Sequence, residues 1–123
     1  MTNQIDQALG ELMHRESVRG AAVVTDDGIT VASRLVGRFR DEVVSGLTSF
    51  LLLTTRRALS DRESEQRIDR FTIHATHGKL LIQHVGGAWL IVLTDQFARL
   101  QDVTPAIDEV GSRVRGLMKI DVS

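Results

Sequence analysis

Four histidines are the residues of this chain best suited to acid–base catalysis or metal binding. His74 and His77 have the H-x-x-H spacing of some metal sites. Residues three apart in a strand point to opposite faces, however, and His77 precedes a glycine at a predicted turn. If Thr76 pairs with Lys79 in that hairpin, His84 lies on the other face from His74. The histidines are therefore predicted not to converge, and we expect no metal site.

No other set of side chains has the spacing of a catalytic or cofactor site. Ser45, Ser49 and Ser60 lie in a predicted helix without a histidine at helical spacing, so nothing supports a Ser-His-Asp triad. Asp26 and Asp27 form a carboxylate pair, but they precede a glycine, and aspartate is a common turn residue. The chain has no phosphate-binding glycine motif, and the absence of cysteine excludes a thiol nucleophile. We therefore expect a protein that is not an enzyme and binds no cofactor.

Composition excludes several other classes of protein. The 123 residues are enough for one domain with a real core, and their 42% hydrophobic and 25% charged content is that of a globular chain. A net charge of −1 gives no attraction to nucleic acid, and one tryptophan and four phenylalanines do not make a base-stacking platform. No apolar run approaches the roughly 20 residues of a membrane span, and the N-terminus lacks the basic start and apolar core of a secretion signal. We therefore expect a cytoplasmic protein without direct membrane insertion.

Hydrophobic periodicity and turn residues predict eight elements in the order α-β-β-α-β-β-β-α. Asp26-Asp27-Gly28 predicts a hairpin turn, and His77-Gly78 and Gly86-Gly87 predict two further tight turns. Pro105 is expected in the first turn of the last helix, where a missing N–H costs nothing. The predicted helices cover residues 3–16, residues 41–60 and a last segment that ends near Met118, and the strands cover 19–25, 29–34, 67–76, 79–85 and 88–94.

The last predicted strand indicates that helices cover both faces of the sheet. Its sequence, Ala-Trp-Leu-Ile-Val-Leu-Thr at 88–94, is apolar on both faces, which is typical of a central strand covered on both sides. The predicted fold is a five-stranded antiparallel sheet sandwiched between one central helix on one face and two terminal helices on the other. These layers form a single α/β domain over residues 1–123.

The predicted middle helix, 41–60, has too much apolar surface for one sheet to bury. On a helical wheel its apolar positions cover about 260°, whereas a helix lying on a sheet needs an arc of about 120°. Leu52 and Leu53 lie beyond opposite edges of the core-facing arc, and the outward side carries the small residues Ser45 and Ser49. Small residues let a second helix approach closely, so the helix predicts homodimerisation. The alternative is that loops cover the leucines.

The predicted strand 67–76 extends this candidate interface. In the predicted hairpins it has a neighbour on one side only, so its other edge is bare. Arg67, Asp69 and Arg70 are charged residues that can blunt such an edge. The alternative is that the edge pairs with the same strand of a second copy across a two-fold axis.

Three stretches of the sequence resemble the roadblock family, the dynein light-chain relatives that also occur in bacteria and archaea. Residues 18–33, with a small-residue strand, an Asp-Gly turn and a return strand, resemble its first hairpin. Residues 78–82 and 87–95, the latter an apolar strand that ends in aspartate, are similar to its last two strands. The order of elements matches over nearly the whole chain.

The resemblance implies a fold and a function. Roadblock proteins are small α/β sandwiches related to longin domains, are not enzymes, and form homodimers through the middle helix and the third strand. They act as platforms for Ras-like small GTPases, so the resemblance implies a homodimeric scaffold that binds such a GTPase and modulates its nucleotide cycle or its localisation. Carried onto this chain, the dimer and partner interface comprises Ser45, Ser49, Leu52, Leu53 and Arg56 of the helix and Arg70, Thr72 and His74 of the strand. The competing interpretation is a small-molecule-sensing or purely structural dimerisation module of PAS or profilin-like shape.

Overall fold

The structure, a computed structural model, describes residues 2–26, 28–35, 53 and 70–122. Five strands and two helices are delimited in these ranges. The helices are α1 (Thr2–Met13) and α2 (Leu100–Val122), and the strands are β1 (Val18–Thr25), β2 (Thr30–Leu35), β3 (Arg70–Ala75), β4 (Gly78–His84) and β5 (Ala88–Asp95). The predicted middle helix, 41–60, lies outside the described residues except for Leu53, which is helical.

The five strands form one antiparallel sheet in the order β2-β1-β5-β4-β3. β5 is therefore the central strand, as its apolar sequence predicts. Leu90 and Val92 belong to the core on one face of the sheet, whereas Trp89 and Ile91 belong to a second cluster on the other face. All four are at most 2% exposed. The predicted α/β class with a five-stranded antiparallel sheet is confirmed.

Both described helices lie on the same face of the sheet. Their apolar stripes pack on the sheet because residues at helical spacing meet the alternate residues of the strands. This confirms that the two terminal helices share a face, whereas the predicted place of the middle helix on the other face lies outside the described residues. The buried core on this helix face consists of Ile5, Ala8, Leu9, Leu12, Val18, Ala21, Val23, Leu81, Val85, Ala88, Leu90, Val92, Ala98, Val103, Ile107, Val110, Val114 and Met118.

α1 ends at Met13, three residues before its predicted end at residue 16. The N–H groups of His14 and Arg15 donate to the carbonyls of Glu11 and Leu12, at 3.3 and 3.1 Å, so the last turn tightens to i→i+3 bonds. A further turn leads directly into β1. The sequence does not mark this end, because neither His14 nor Arg15 is a residue that breaks a helix.

The β3–β4 hairpin has a register that differs from the predicted one. Lys79 pairs with His74 and not with Thr76. The two turn residues are therefore 76 and 77, and Gly78 is the first residue of β4 rather than part of the turn. A Cβ at Gly78 would lie 2.4 Å from the Thr94 carbonyl oxygen, so glycine allows a close approach of β4 to β5. Because the register differs by two residues, each side chain keeps its predicted face.

The other two predicted turns are confirmed. Gly86 and Gly87 have φ angles of +71° and +86°, which other residues rarely adopt, and the Val85 N–H donates to the Ala88 carbonyl at 2.8 Å. Gly28 closes the β1–β2 hairpin with a φ of +91°, and residue 27 lies outside the described residues. These turns place β1 next to β2 and β4 next to β5.

α2 begins at Leu100, so Pro105 lies in its second turn, and the first-turn prediction is wrong. The Arg99 carbonyl accepts the N–H groups of Asp102 and Val103 at 3.0 and 3.3 Å, which starts the helix before the proline. This early start has a packing cause, because Val103 is buried and Leu100 packs against the same core. Neither α2 nor any other helix in the described ranges is long and apolar enough to cross a membrane.

Candidate interaction surface

β3 is the outermost strand of the described sheet on the side away from β1. Thr72 pairs with Leu81, a core residue of the helix face. Alternation along the strand therefore puts Arg70, Thr72 and His74 together on that face. Arg70 and His74 are exposed, and Thr72 is half-buried. The three polar residues form a row along the edge of the sheet.

Arg70 is held against α2 instead of projecting from the edge. Its Nη2 donates to Gln83 Oε1 at 2.6 Å and also binds the Asp108 carboxylate of α2 in an ion pair. An exposed ion pair of this kind contributes little Coulomb energy, but it fixes the position of the side chain. β3 is thereby tied to α2, and the Arg70 charge does not blunt the strand edge.

Two further ion pairs continue this link across the helix face. Arg113 of α2 pairs with Glu11 of α1. Arg34 of β2 donates two hydrogen bonds to the Asp6 carboxylate of α1, at 2.9 and 2.7 Å. Charged contacts thus join β3, α2, α1 and β2 in turn. The β3 edge is therefore fixed to the helix layer as well as to β4.

The hydrogen bonds from Arg34 hold the pKa of Asp6 below its ordinary value of 3.8, although partial desolvation opposes the shift. The Asp6 carboxylate in turn raises the pKa of Arg34. A folded-state pKa of Asp6 below its unfolded value means that the unfolded chain binds the proton more tightly. The pair therefore stabilises the fold above the unfolded pKa, and this contribution is lost as the pH falls through the folded pKa.

We expect Asp6→Asn to lower the free energy of unfolding at neutral pH and to have a smaller effect in acid, below the ordinary aspartate pKa of 3.8. The substitution removes the charge that Arg34 binds, and acid removes the same charge from the wild type. Urea unfolding followed by circular dichroism at both pH values measures the difference. Glu109→Gln is the matched control, because Glu109 is exposed and has no ion pair among the described residues. An equal loss at both pH values contradicts the prediction.

The four histidines lie at separate places. His14 follows α1, His77 lies in the β3–β4 turn, and His74 faces the helix layer. His84 lies on the opposite face, where its ring centroid is 4.7 Å from that of Trp89 in an edge-to-face arrangement. Within the ranges that the structure describes, no three histidine, aspartate or glutamate side chains are grouped so that they could hold a metal ion.

One polar contact in the second cluster is not evident from the sequence pattern. Trp89 Nε1 donates to Asp26 Oδ1 at 2.7 Å, and His84 Nε2 lies 3.7 Å from the same oxygen. Asp26 therefore binds a buried indole in addition to its place in a turn. The one signal for this contact is the tryptophan itself, because a buried indole N–H needs an acceptor.

The predicted interface residues divide into a described and an undescribed group. Leu53 is helical, and 51% of its side-chain surface is exposed. Arg70, Thr72 and His74 lie together on β3. The residues outside the described ranges are Ser45, Ser49, Leu52 and Arg56, together with Ser60, Arg67 and Asp69 of the sequence predictions.

The sequence model of the Roadblock/LC7 domain matches residues 4–95. The chain belongs to the Roadblock/LC7 family. The matched range runs from α1 to the end of β5, so it contains the whole described sheet of this Roadblock/LC7 chain.

Relatives and solved structures agree with this membership. The uncharacterized protein MJ0714 of Methanocaldococcus jannaschii is 28% identical to this Roadblock/LC7 chain over 115 residues, which are 94% of the chain and 97% of the relative. A Roadblock/LC7 domain from Streptomyces avermitilis superposes with a TM-score of 0.83 at 17% identity, over 93% of this chain and 97% of that one. MglB in a tetrameric arrangement superposes with a TM-score of 0.82 at 18% identity, over 93% and 87% of the two chains. At these identities the two superpositions establish the fold.

Proposed function

We propose that this Roadblock/LC7 chain is a homodimeric, non-enzymatic scaffold that binds a Ras-like small GTPase and modulates its nucleotide cycle or its localisation. Family membership supports the GTPase, because roadblock proteins are platforms for such GTPases. The tetrameric arrangement of MglB, which has the same fold, supports self-association. The proposed interface comprises the predicted residues of the middle helix together with the polar row on β3.

The observation that carries the proposal is the outer edge of β3, which no other described strand covers. Among the described strands, β3 pairs with β4 alone. Natural edge strands are blunted by lysine, proline, a bulge or a projecting charge. β3 contains neither lysine nor proline, and the charge of Arg70 is bound to Asp108 and Gln83. Such an edge is suited to pairing with the same strand of a second copy, which would join two five-stranded sheets into one.

The proposed contact across a two-fold axis at this edge also includes the middle helix of each copy. The contact is then isologous, so each residue near the axis faces the same residue or a close neighbour in the partner. Leu53 is the described residue of that helix, and its exposed half is apolar surface that a partner can bury. Burial of half a leucine side chain contributes about 1 kcal/mol per copy.

We expect Leu53→Asp to convert the dimer into a folded monomer, because a carboxylate in the helix contact loses its water and faces its own copy across the axis. Light scattering at tens of micromolar should give twice the chain mass of 13.6 kDa for the wild type and the single mass for the variant. Ile29→Asp is the matched control, since Ile29 is 61% exposed at the β1–β2 hairpin and should leave the dimer intact. A monomeric wild type refutes the dimer, and two variants that behave alike refute the place of Leu53 in its contact.

The GTPase is tested separately by affinity capture. Tagged wild-type protein is incubated with lysate of its own cells, with and without a non-hydrolysable GTP analogue, and the captured proteins are identified by mass spectrometry. We expect a small GTPase whose capture depends on the analogue and decreases with Leu53→Asp. If no small GTPase is captured in either condition, the GTPase proposal is wrong whatever the oligomeric state.

A further inference from the structure

Phe97 is the most exposed large apolar side chain among the described residues, with 80% of its surface in water. It lies in the connection between β5 and α2, at residues 96–99. Single exposed apolar residues are common on protein surfaces. The chain has only four phenylalanines, however. A partner that covers a phenylalanine ring this exposed removes a large apolar area from water, which favours binding.

The connection that carries Phe97 is fixed by hydrogen bonds. The Phe97 N–H donates to Asp95 Oδ1 at 2.9 Å, and the Ala98 N–H donates to the Asp95 carbonyl at 3.4 Å. The Asp95 N–H donates to the Ser17 carbonyl at 2.9 Å, which ties this connection to the one between α1 and β1. Ala98 is buried, and Lys79 Nζ donates to its carbonyl. The ring is therefore presented on a pre-organised loop, which lowers the entropy cost of binding through it.

Basic residues outnumber acidic ones in this loop and beside it, although the whole chain has a net charge of −1. Arg19 is close to the loop, because its guanidinium lies 3.6 Å from the Asp95 carboxylate. Arg15 and Arg99 are exposed and have no ion pair within the described ranges. The charged residues in the two connections and the strand ends beside them are the cations Arg15, Arg19, Lys79 and Arg99 and the anions Glu16 and Asp95, and Asp102 follows in the first turn of α2.

We propose that one surface of the protein docks an acidic segment of a partner protein, and that this segment also carries an apolar residue. The surface, called the Phe97 surface, comprises Phe97, Arg15, Arg19 and Arg99. Aromatic residues and arginine are the residue types that supply most of the binding energy at protein interfaces. The ring is the apolar anchor, and the arginines steer the partner and bind its carboxylates. The surface lies at the end of β5, two strands in from the β3 edge, so it is separate from the proposed dimer contact.

The charge of the Phe97 surface and its single exposed ring favour an acidic protein segment over a membrane or a second copy of this chain. Stable binding to an anionic membrane needs many unpaired basic residues or a wide apolar face, whereas the Phe97 surface has three arginines, one of them paired with Asp95, and a single exposed ring. A second copy would bring the same positive surface to a two-fold contact, where like charges oppose association. An acidic segment with an apolar residue complements both the ring and the arginines.

Selection from a phage-displayed library of random short peptides tests the proposal. The library is depleted on Phe97→Ala protein and then selected on wild type. We expect the enriched peptides to be acidic and to contain a large apolar residue. Synthetic copies, measured by fluorescence anisotropy, should bind Phe97→Ala about 30-fold more weakly than wild type. Arg99→Glu should slow their association and reduce its dependence on salt.

Two control variants separate this surface from the rest of the molecule. Ile29→Ala removes an exposed apolar side chain at the opposite end of the sheet and should bind the peptides like the wild type. Leu53→Asp should also bind them normally, because the Phe97 surface does not require the dimer. The proposal is overturned if no peptide is enriched, if the enriched peptides are neutral or basic, or if they bind Phe97→Ala as tightly as wild type.

Two further measurements test whether a membrane or a second copy of this chain binds the Phe97 surface instead. Co-sedimentation of the wild type, but not of Phe97→Ala, with phosphatidylserine vesicles would assign the surface to a membrane and overturn the proposal. A change in the dimer dissociation constant on Phe97→Ala would assign it to a second copy with the same consequence. We expect neither change.

Discussion

Replacing Gly78 by alanine is expected to lower the free energy of unfolding by about 3 kcal/mol. The new Cβ would stand 2.4 Å from the Thr94 carbonyl oxygen, well inside van der Waals contact. That oxygen belongs to the backbone of the central strand, so it cannot rotate away as a side chain can, and β4 must shift relative to β5. Urea unfolding at one fixed protein concentration measures the loss, because the proposed dimerisation would make stability depend on concentration.

Gly116→Ala is the matched control for this substitution. Gly116 is exposed in α2, and a Cβ there would meet no heavy atom within 4 Å beyond its own helical neighbours. Alanine has the higher helix propensity, so the free energy of unfolding should rise by about 0.5–1 kcal/mol. Replacement of glycine by alanine is thus expected to lower the free energy of unfolding at position 78 and to raise it at position 116. A neutral or stabilising Gly78→Ala would show that β4 and β5 do not approach each other so closely.

Trp89→Ala is expected to lower the free energy of unfolding by about 3–5 kcal/mol. Trp89 is 2% exposed and packs with Val24, Ile82 and Ile91 in the second cluster. The substitution leaves a large cavity there and also removes the donor that binds Asp26. Domains of this size are stable by about 5–15 kcal/mol, so the variant should unfold at much lower urea concentration.

Two further variants separate the causes of this loss. Trp89→Phe keeps most of the ring but lacks the N–H donor, so we expect a smaller loss of about 1–2 kcal/mol. Phe97→Ala removes an aromatic ring that is 80% exposed and should change stability by less than about 0.5 kcal/mol. Circular dichroism follows all variants, because Trp89 is the single tryptophan. Equal losses in Trp89→Ala and Phe97→Ala would contradict the burial of Trp89.

The elements of this fold are predictable from sequence because alternation and glycine turns are local properties. The apolar run at 88–94 predicts the central place of β5, and Gly86-Gly87 predicts the turn before it. Local reasoning fails at Gly78, because the role of this glycine depends on its distance from a strand that pairs on the other side of β4. It fails again at the start of α2, which is set by the packing of Val103 on the core and not by Pro105.

The candidate interface is predictable to the same extent. Alternation alone puts Arg70, Thr72 and His74 in one row, and the structure has them there. The ion pair of Arg70 with Asp108 is not predictable from sequence, because Asp108 lies on a helix far along the chain and no local pattern joins the two residues. The exposure of Phe97 likewise depends on how the chain leaves β5, since a phenylalanine in a sequence indicates a core position more often than a surface one.

The central strand of the sheet is also the last of its five strands in chain order, so it is synthesised after the other four. β1 must pair Val18 with Thr94 and Val24 with Trp89, so its inner partner is missing while most of the domain is synthesised. The hairpins β1–β2 and β3–β4 are local and can form early, but each then presents an open strand edge toward the place that β5 will fill. We expect the nascent chain to need protection from aggregation through this interval. Insertion of one strand then closes both edges, which makes the folding of the sheet a single late event.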